Sequence, residues 1–300
     1  VIFVLLLYAL FATVFPLCKV AFTYYISPIF FTGCCLLLAG TLLLMYVAIT
    51  DKKSLHLKRS YIPPLAMLIV CNIFLTNVCE RWGLQYLSSV KTSFIYNLSP
   101  FFSAILSYFL LSESMTWKKW LGLSIGFLGF IPYFIEKSAG ECASGGFLCF
   151  SWAELALVIA AISTVIGWIG MRKLVLQGGS CLVGNGISMF VGGCMVLVAS
   201  RCLESWTPFP VRDWAHALMY IVLTTGISYV IAYNIYGKLL RRYTATFITM
   251  AGLTSPLFTA LFGRLLLSES VSWTFFFSMA MVGIGLTIFH SQEIKGRPCS

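Results

Sequence analysis

Apolar residues run in ten long blocks, at about 1–22, 28–50, 61–83, 88–111, 116–135, 152–173, 182–201, 213–237, 243–267 and 272–290. Each is close to the roughly twenty residues a helix needs to cross a bilayer core. They do not alternate in the ten-residue manner of membrane strands. Polar connectors separate them, among them Asp51–Ser60, Glu136–Ser151 and Cys202–Arg212. The pattern predicts an all-α integral membrane protein with ten transmembrane helices. Val1–Tyr8 leads directly into apolar sequence, so no cleavable signal is expected there.

Polar landmarks inside the blocks reveal a repeat. Ser99-Pro100, Phe102, Ala104, Leu110-Leu111-Ser112-Glu113-Ser114, Trp117 and Gly129 recur as Ser255-Pro256, Phe258, Ala260, Leu266-Leu267-Ser268-Glu269-Ser270, Trp273 and Gly285, 156 positions later. The expected division is a first five-helix repeat at 1–136, a second at 152–290 and a cytoplasmic tail at 291–300. Lys and Arg favour cytoplasmic loops. With the N-terminus inside, 13 of the 20 basic residues fall on inner segments and 4 on outer ones. Both termini are therefore expected in the cytoplasm. Because five helices carry the chain across, the second repeat starts from the opposite side, and the two are expected to be inverted. Inverted repeats are a common construction of secondary transporters, whose substrate site lies near the midplane between the halves.

Composition narrows the classes. The 300 residues are 59% hydrophobic and 10% charged, too little charge to cover a water-facing surface. The net charge of +10 is accounted for by membrane orientation, so a lipid bilayer and a small-molecule substrate are the expected partners and nucleic acid is not. The 11 cysteines form no Cys-x-x-Cys pair, and most sit in apolar blocks as small buried hydrophobes. Cys142 and Cys149 share one loop and are the candidates for a disulfide. The three histidines, 56, 216 and 290, stand near block ends, and no His-Glu-x-x-His or Gly-x-Ser-x-Gly motif is present. No metal, cofactor or catalytic site is expected. Without a phosphate-binding loop, coupling is by exchange or an ion gradient, or is absent.

Polar side chains facing lipid are costly, so polar stripes mark faces turned inward. Asn72, Thr76 and Glu80 follow at helical spacing with Asn77 beside them; Ser89, Ser93, Tyr96, Asn97 and Pro100 form another stripe; Thr225, Tyr229, Tyr233 and Tyr236 form a third, next to Asn234. Tyr8, Phe15 and Lys19 share one side of the first block, and Trp168 stands in the sixth. The candidate substrate-binding residues are Tyr8, Phe15, Lys19, Asn72, Asn77, Tyr96, Asn97, Trp168, Tyr229, Tyr233 and Asn234. Interhelical hydrogen bonding is the competing role for each Asn, and snorkelling to the interface for Lys19. Glu80 and Arg81 are expected to be solvated at the end of the third block. Pro100 and Pro256 each remove a backbone donor and are candidate hinges. Glu113 and Glu269 sit at helix entries, as caps for free amides or as gates.

The Ser-Pro, apolar run, Leu-x-Glu, aromatic and Gly pattern, in both copies, resembles the ten-helix EamA type of the drug/metabolite transporter superfamily. Ser27-Pro28 and Ala39-Gly40 fit the start of its second helix. Cys34-Cys35 stand where members often carry Arg, a departure from that pattern. The resemblance implies alternating-access transport of a small polar metabolite across a bacterial inner membrane. Phe11–Lys19 and the cysteine-rich texture also resemble the S-adenosylmethionine carriers of obligate intracellular bacteria. That resemblance implies uptake of S-adenosylmethionine with S-adenosylhomocysteine as the exchanged product. Amino-acid or drug export, lipid flipping and channel conduction remain as alternatives.

Overall fold

A computed structural model describes residues 2–83, 86, 95–96, 98–111, 115–139, 152–207, 209–255, 258 and 273–295. Asn97, Glu113, Pro256, Glu269, Cys142 and Cys149 lie outside the described residues, and so do the side chains of Phe15 and Lys19.

Ten helices of ten or more residues are present among the described residues: α1 (Ile2–Tyr24), α2 (Pro28–Thr50), α3 (Arg59–Gly83), α4 (Ser99–Leu111), α5 (Trp117–Ala139), α6 (Trp152–Leu176), α7 (Cys181–Leu203), α8 (Trp214–Leu239), α9 (Ala245–Thr254) and α10 (Trp273–Lys295). Five of them, α2, α3, α6, α7 and α8, are long and apolar enough by composition to cross a membrane. Their ends follow local chemistry. Pro28 opens α2, where its missing N–H would have no helical partner. Asp213 caps α8 by accepting from the Ala215 and His216 amides at 2.9 and 3.4 Å, and Thr244 caps α9 by accepting from Phe247 N at 3.2 Å. Gly178 closes α6 with φ +88°, a conformation that Gly adopts without strain.

The helices pack in a consistent pattern. α2 lies along α7, α5 along α10 and α4 along α9. α3 packs on α6 and α7, while α8 packs on α1 and α2. Exchanging α1–α5 with α6–α10 maps this set of partners onto itself. Close approach depends on missing side chains: a Cβ on Gly40 would stand 2.4 Å from the Phe190 amide nitrogen of α7, and one on Gly285 would stand 2.5 Å from the Gly122 carbonyl of α5. Gly283, two residues away, has nothing within 4 Å.

Two irregularities recur at matching places. α3 widens to π-helical geometry over Leu68–Leu75, and α8 over Thr225–Ala232. At the exit of each stretch the backbone amide bonds five residues back, Thr76 to the Cys71 carbonyl and Tyr233 to that of Ser228. One residue further on stands an Asn whose side-chain amide donates to the carbonyl four residues back at 2.7 Å, Asn77 to Ile73 and Asn234 to Val230. Such widened turns are frequent at functional sites. The repeated Ser-Pro motif also follows a break. Leu98 is in a turn just before Ser99-Pro100, and Gly252–Thr254 tighten to 3₁₀ geometry just before Ser255. Pro100 therefore stands in the first turn of α4, where its lack of an N–H is tolerated.

At one end of the bundle the α1–α2 and α7–α8 connections are tied together. Ile26 and Val211 form an antiparallel bridge, with Ser27 N bonded to Pro210 O at 3.0 Å and Arg212 N to Tyr25 O at 2.7 Å. The Glu204 carboxylate accepts from the Ile29 and Phe30 amides at 2.8 Å each, covering the open N-terminus of α2. Tyr25 stacks on His216 at 4.8 Å. The outer faces of the helices are apolar. The repeat tryptophans Trp117 and Trp273, each opening its helix, are 77% and 84% exposed. Rings at this level suit a bilayer interface.

Candidate functional site

The inward faces of α1, α3, α6 and α8 meet in a row of aromatic rings with polar groups along it. Trp168 of α6 stacks on Tyr236 at 3.7 Å, nearly parallel at 15°, and lies 5.0 Å from Tyr233. Tyr229 is 5.4 Å from Tyr233, Phe11 meets Tyr233 edge-on at 6.0 Å, and Tyr8 lies 6.1 Å from Phe11. The spacing follows from helix periodicity, because Tyr229, Tyr233 and Tyr236 fall on one side of α8 as Tyr8 and Phe11 do on α1. Offset and edge-on rings at these distances attract one another beyond simple burial.

Polar groups line the row on the α3–α6 side. Tyr233 OH donates to Asn72 Oδ1 at 3.4 Å, and Asn72 Nδ2 donates to the Thr164 carbonyl at 3.4 Å. Thr164 Oγ1 donates to Thr76 Oγ1 at 3.0 Å. Further along α3, Glu80 and Arg81 are 15% and 13% exposed at their side chains, rather than solvated as expected. Arg81 Nη1 stands 3.3 Å from Glu80 Oε1, and Tyr96 OH donates to Glu80 Oε2 at 2.8 Å. The Phe22 ring lies 5.4 Å from the Arg81 guanidinium carbon. Phe22 of α1 and Tyr96 stand against these charges, which linear position near a helix end does not reveal.

The structure thus brings together Tyr8, Asn72, Trp168, Tyr229 and Tyr233, with Tyr96 joined through Glu80. Asn77 and Asn234 are turned otherwise. Asn77 donates to the Ile73 and Asn72 carbonyls of its own helix. Asn234 donates to Val230 O and accepts from Asn185 Nδ2 of α7 at 2.9 Å. Sequence reasoning passed over Phe11 and Asn185. One helical turn separates Phe11 from Tyr8, which was the available signal. Asn185 stood among small residues with no stripe to mark it.

Aromatic faces bind cations and planar bases, amide groups read polar edges, and a carboxylate beside a guanidinium suits a zwitterion. No group of three or more His, Cys, Asp or Glu suited to a metal ion occurs among the described residues. The sequence profile of the EamA-like transporter family matches residues 1–134 and 151–290. The chain belongs to the EamA-like transporter family. It is an integral membrane protein of a transporter family. Among relatives of this EamA-like transporter, the S-adenosylmethionine/S-adenosylhomocysteine transporter of Chlamydia muridarum is 35% identical over 271 residues, covering 90% of this chain and 85% of the relative. The protein of the same name from Chlamydia trachomatis serovar L2 is also 35% identical, covering 90% and 82%. One solved crystal structure shares the fold with a TM-score of 0.77 at 14% identity, over 99% of this chain and 97% of the other.

Proposed function

We propose that this EamA-like transporter takes up S-adenosylmethionine across the membrane, in a bacterial cell the inner membrane, in exchange for S-adenosylhomocysteine. The observation that carries this reading is the likeness to the chlamydial transporters of that name over 90% of the chain. The aromatic row supports it chemically. S-adenosylmethionine carries a sulfonium cation and an adenine, both of which bind to aromatic faces, and an amino-acid head that needs charged partners.

Transport is by alternating access between two inverted repeats, 1–136 and 152–290, with both termini cytoplasmic and ten spans. Three things support this arrangement: the 156-residue repeat, the 13 to 4 division of basic residues and the exchangeable packing partners. The breaks before Pro100 and Pro256 are the bending points, and Glu113 and Glu269 stand at opposite faces as gates or caps. Lys19 and Phe15 extend the substrate path along α1, and Asn97 extends it along α4. Asn77 and Asn234 hold the widened turns on which the path depends.

The test is uptake of labelled S-adenosylmethionine by proteoliposomes of the purified protein. Saturable uptake, accelerated by internal S-adenosylhomocysteine, is the expected result. Non-saturating flux would indicate a channel, and accelerated lipid movement without uptake would indicate a flippase; either would overturn the reading.

A further inference from the structure

We infer that Glu80, Arg81 and Tyr96 form the subsite for the amino-acid head of the substrate, with Arg81 holding the α-carboxylate and Glu80 the α-ammonium. The inference deepens the proposed function and rests on it for the identity of the whole substrate.

Two charges near 15% exposure within an apolar bundle carry a desolvation cost that their mutual attraction offsets only when the geometry is good. Here it is not. Neighbours in sequence do not face each other on a helix. The contact is single and 3.3 Å long, where a charge-assisted hydrogen bond is about 2.7–2.9 Å and an Arg–carboxylate pair is often forked. A pair of this kind adds little to the fold.

Arg81 also carries an orphaned donor. Arg81 Nε is buried and has no hydrogen-bond partner among the described residues. A guanidinium presents its donors in a fixed planar fork that matches a carboxylate. An incoming α-carboxylate would satisfy Nε together with a terminal nitrogen. Phe22, at 5.4 Å from the guanidinium carbon, backs the group. Glu80 accepts the Tyr96 hydroxyl on Oε2 and meets Arg81 on Oε1. Carboxylate oxygens accept more than one hydrogen bond each, so Glu80 can take an ammonium without giving up Tyr96.

The pair is continuous with the aromatic row. Asn72, Thr76 and Glu80 follow at helical spacing along α3, and the OH of Tyr233, whose ring lies 5.4 Å from that of Tyr229, meets Asn72 Oδ1 at 3.4 Å. Those two rings begin the row that ends in the Trp168–Tyr236 stack. A zwitterion at Glu80–Arg81 therefore leads its cationic or aromatic extension directly onto the rings. The ligand class is an α-amino acid with such an extension.

The experiment measures inhibition of labelled S-adenosylmethionine uptake in proteoliposomes by S-adenosylhomocysteine, decarboxylated S-adenosylmethionine and 5′-methylthioadenosine, which lacks the head entirely. Wild type is expected to prefer S-adenosylhomocysteine at least tenfold over the other two. Arg81→Gln should raise the half-saturation for S-adenosylmethionine at least tenfold and leave inhibition by 5′-methylthioadenosine within twofold, and Arg81→Lys should recover part of the loss. If Arg81→Gln does not fold because Glu80 is left alone, the double variant Glu80→Gln/Arg81→Gln gives the same ratio with both charges removed. A folded variant that keeps the wild-type preference for the intact head overturns the inference. If wild type takes up no S-adenosylmethionine but its thermal midpoint rises with methionine or tryptophan, and Arg81→Gln abolishes that rise, the substrate reading falls and the head-group subsite stands. A wild type that responds to no α-amino acid overturns both.

Discussion

The hydroxyl of Tyr8 in α1 donates to the carbonyl of Ile248 in α9 at 2.8 Å. In an uninterrupted α-helix that carbonyl would receive the amide of Gly252. Gly252 instead bonds back to Thr249 and Met250, because the chain tightens to 3₁₀ geometry there. The tyrosine thus fills the acceptor that the break releases, and its ring packs against Gly252, where a Cβ would meet it at 3.1 Å. A residue near one end of the aromatic row is tied in this way to the bend before the second Ser-Pro motif.

Tyr8→Phe keeps the ring and removes the bond to Ile248. A buried carbonyl left without its donor costs roughly 1–3 kcal/mol. The variant should show a lower thermal midpoint in detergent and slower transport, with substrate half-saturation changed less than the maximal rate. An unchanged midpoint would mean that another group satisfies Ile248.

The two glycines of α10 should respond in opposite ways. Gly285→Ala drives a methyl into the Gly122 carbonyl at 2.5 Å and should reduce the folded yield, because backbone cannot step aside. Gly283→Ala meets nothing within 4 Å and removes a helix-weakening glycine, worth up to about 1 kcal/mol in its favour. Fluorescence-detected gel filtration of heated samples compares them directly.

Glu204→Ala should expose the start of α2. It removes the acceptor for the Ile29 and Phe30 amides and the partner of Ser200 Oγ at 2.6 Å. A lost cap costs roughly 0.5–2 kcal/mol. Glu204→Gln keeps an acceptor oxygen and should recover part of it. Faster hydrogen exchange confined to the first turn of α2 is the expected signature.

Acid should loosen the start of α8. Asp213 is held below the usual carboxylate range, chiefly by the His216 ring at 2.6 Å, with the His216 and Ala215 amides adding to it. A depressed folded-state value means that the stabilisation is present above the ordinary Asp value and is lost as pH falls through the lowered one. The thermal midpoint of wild type should therefore carry a component that declines below about pH 4 and is missing from Asp213→Asn.

Much of the fold was legible because its rules are linear. Block lengths located the helices, with α2 found at 28–50 as observed and α10 running on to Lys295. Polar stripes found the inward faces of α3 and α8, since Asn72, Thr76 and Tyr233 do meet other helices through them. What escaped depended on pairing across the bundle. Glu80 and Arg81 looked solvated because α3 ends beside them, and only the neighbours of α3 enclose them. Asn77 and Asn234 donate to their own helix backbone, which an amide in an apolar run does not reveal. The widened turns that claim them leave no trace in hydrophobic periodicity.

Counterflow bears most directly on the central claim. Proteoliposomes loaded with S-adenosylhomocysteine and placed in labelled S-adenosylmethionine should accumulate label transiently above equilibrium, with a saturable initial rate that external S-adenosylhomocysteine inhibits. Uptake that does not saturate, or that ignores S-adenosylhomocysteine on both sides, would contradict the account.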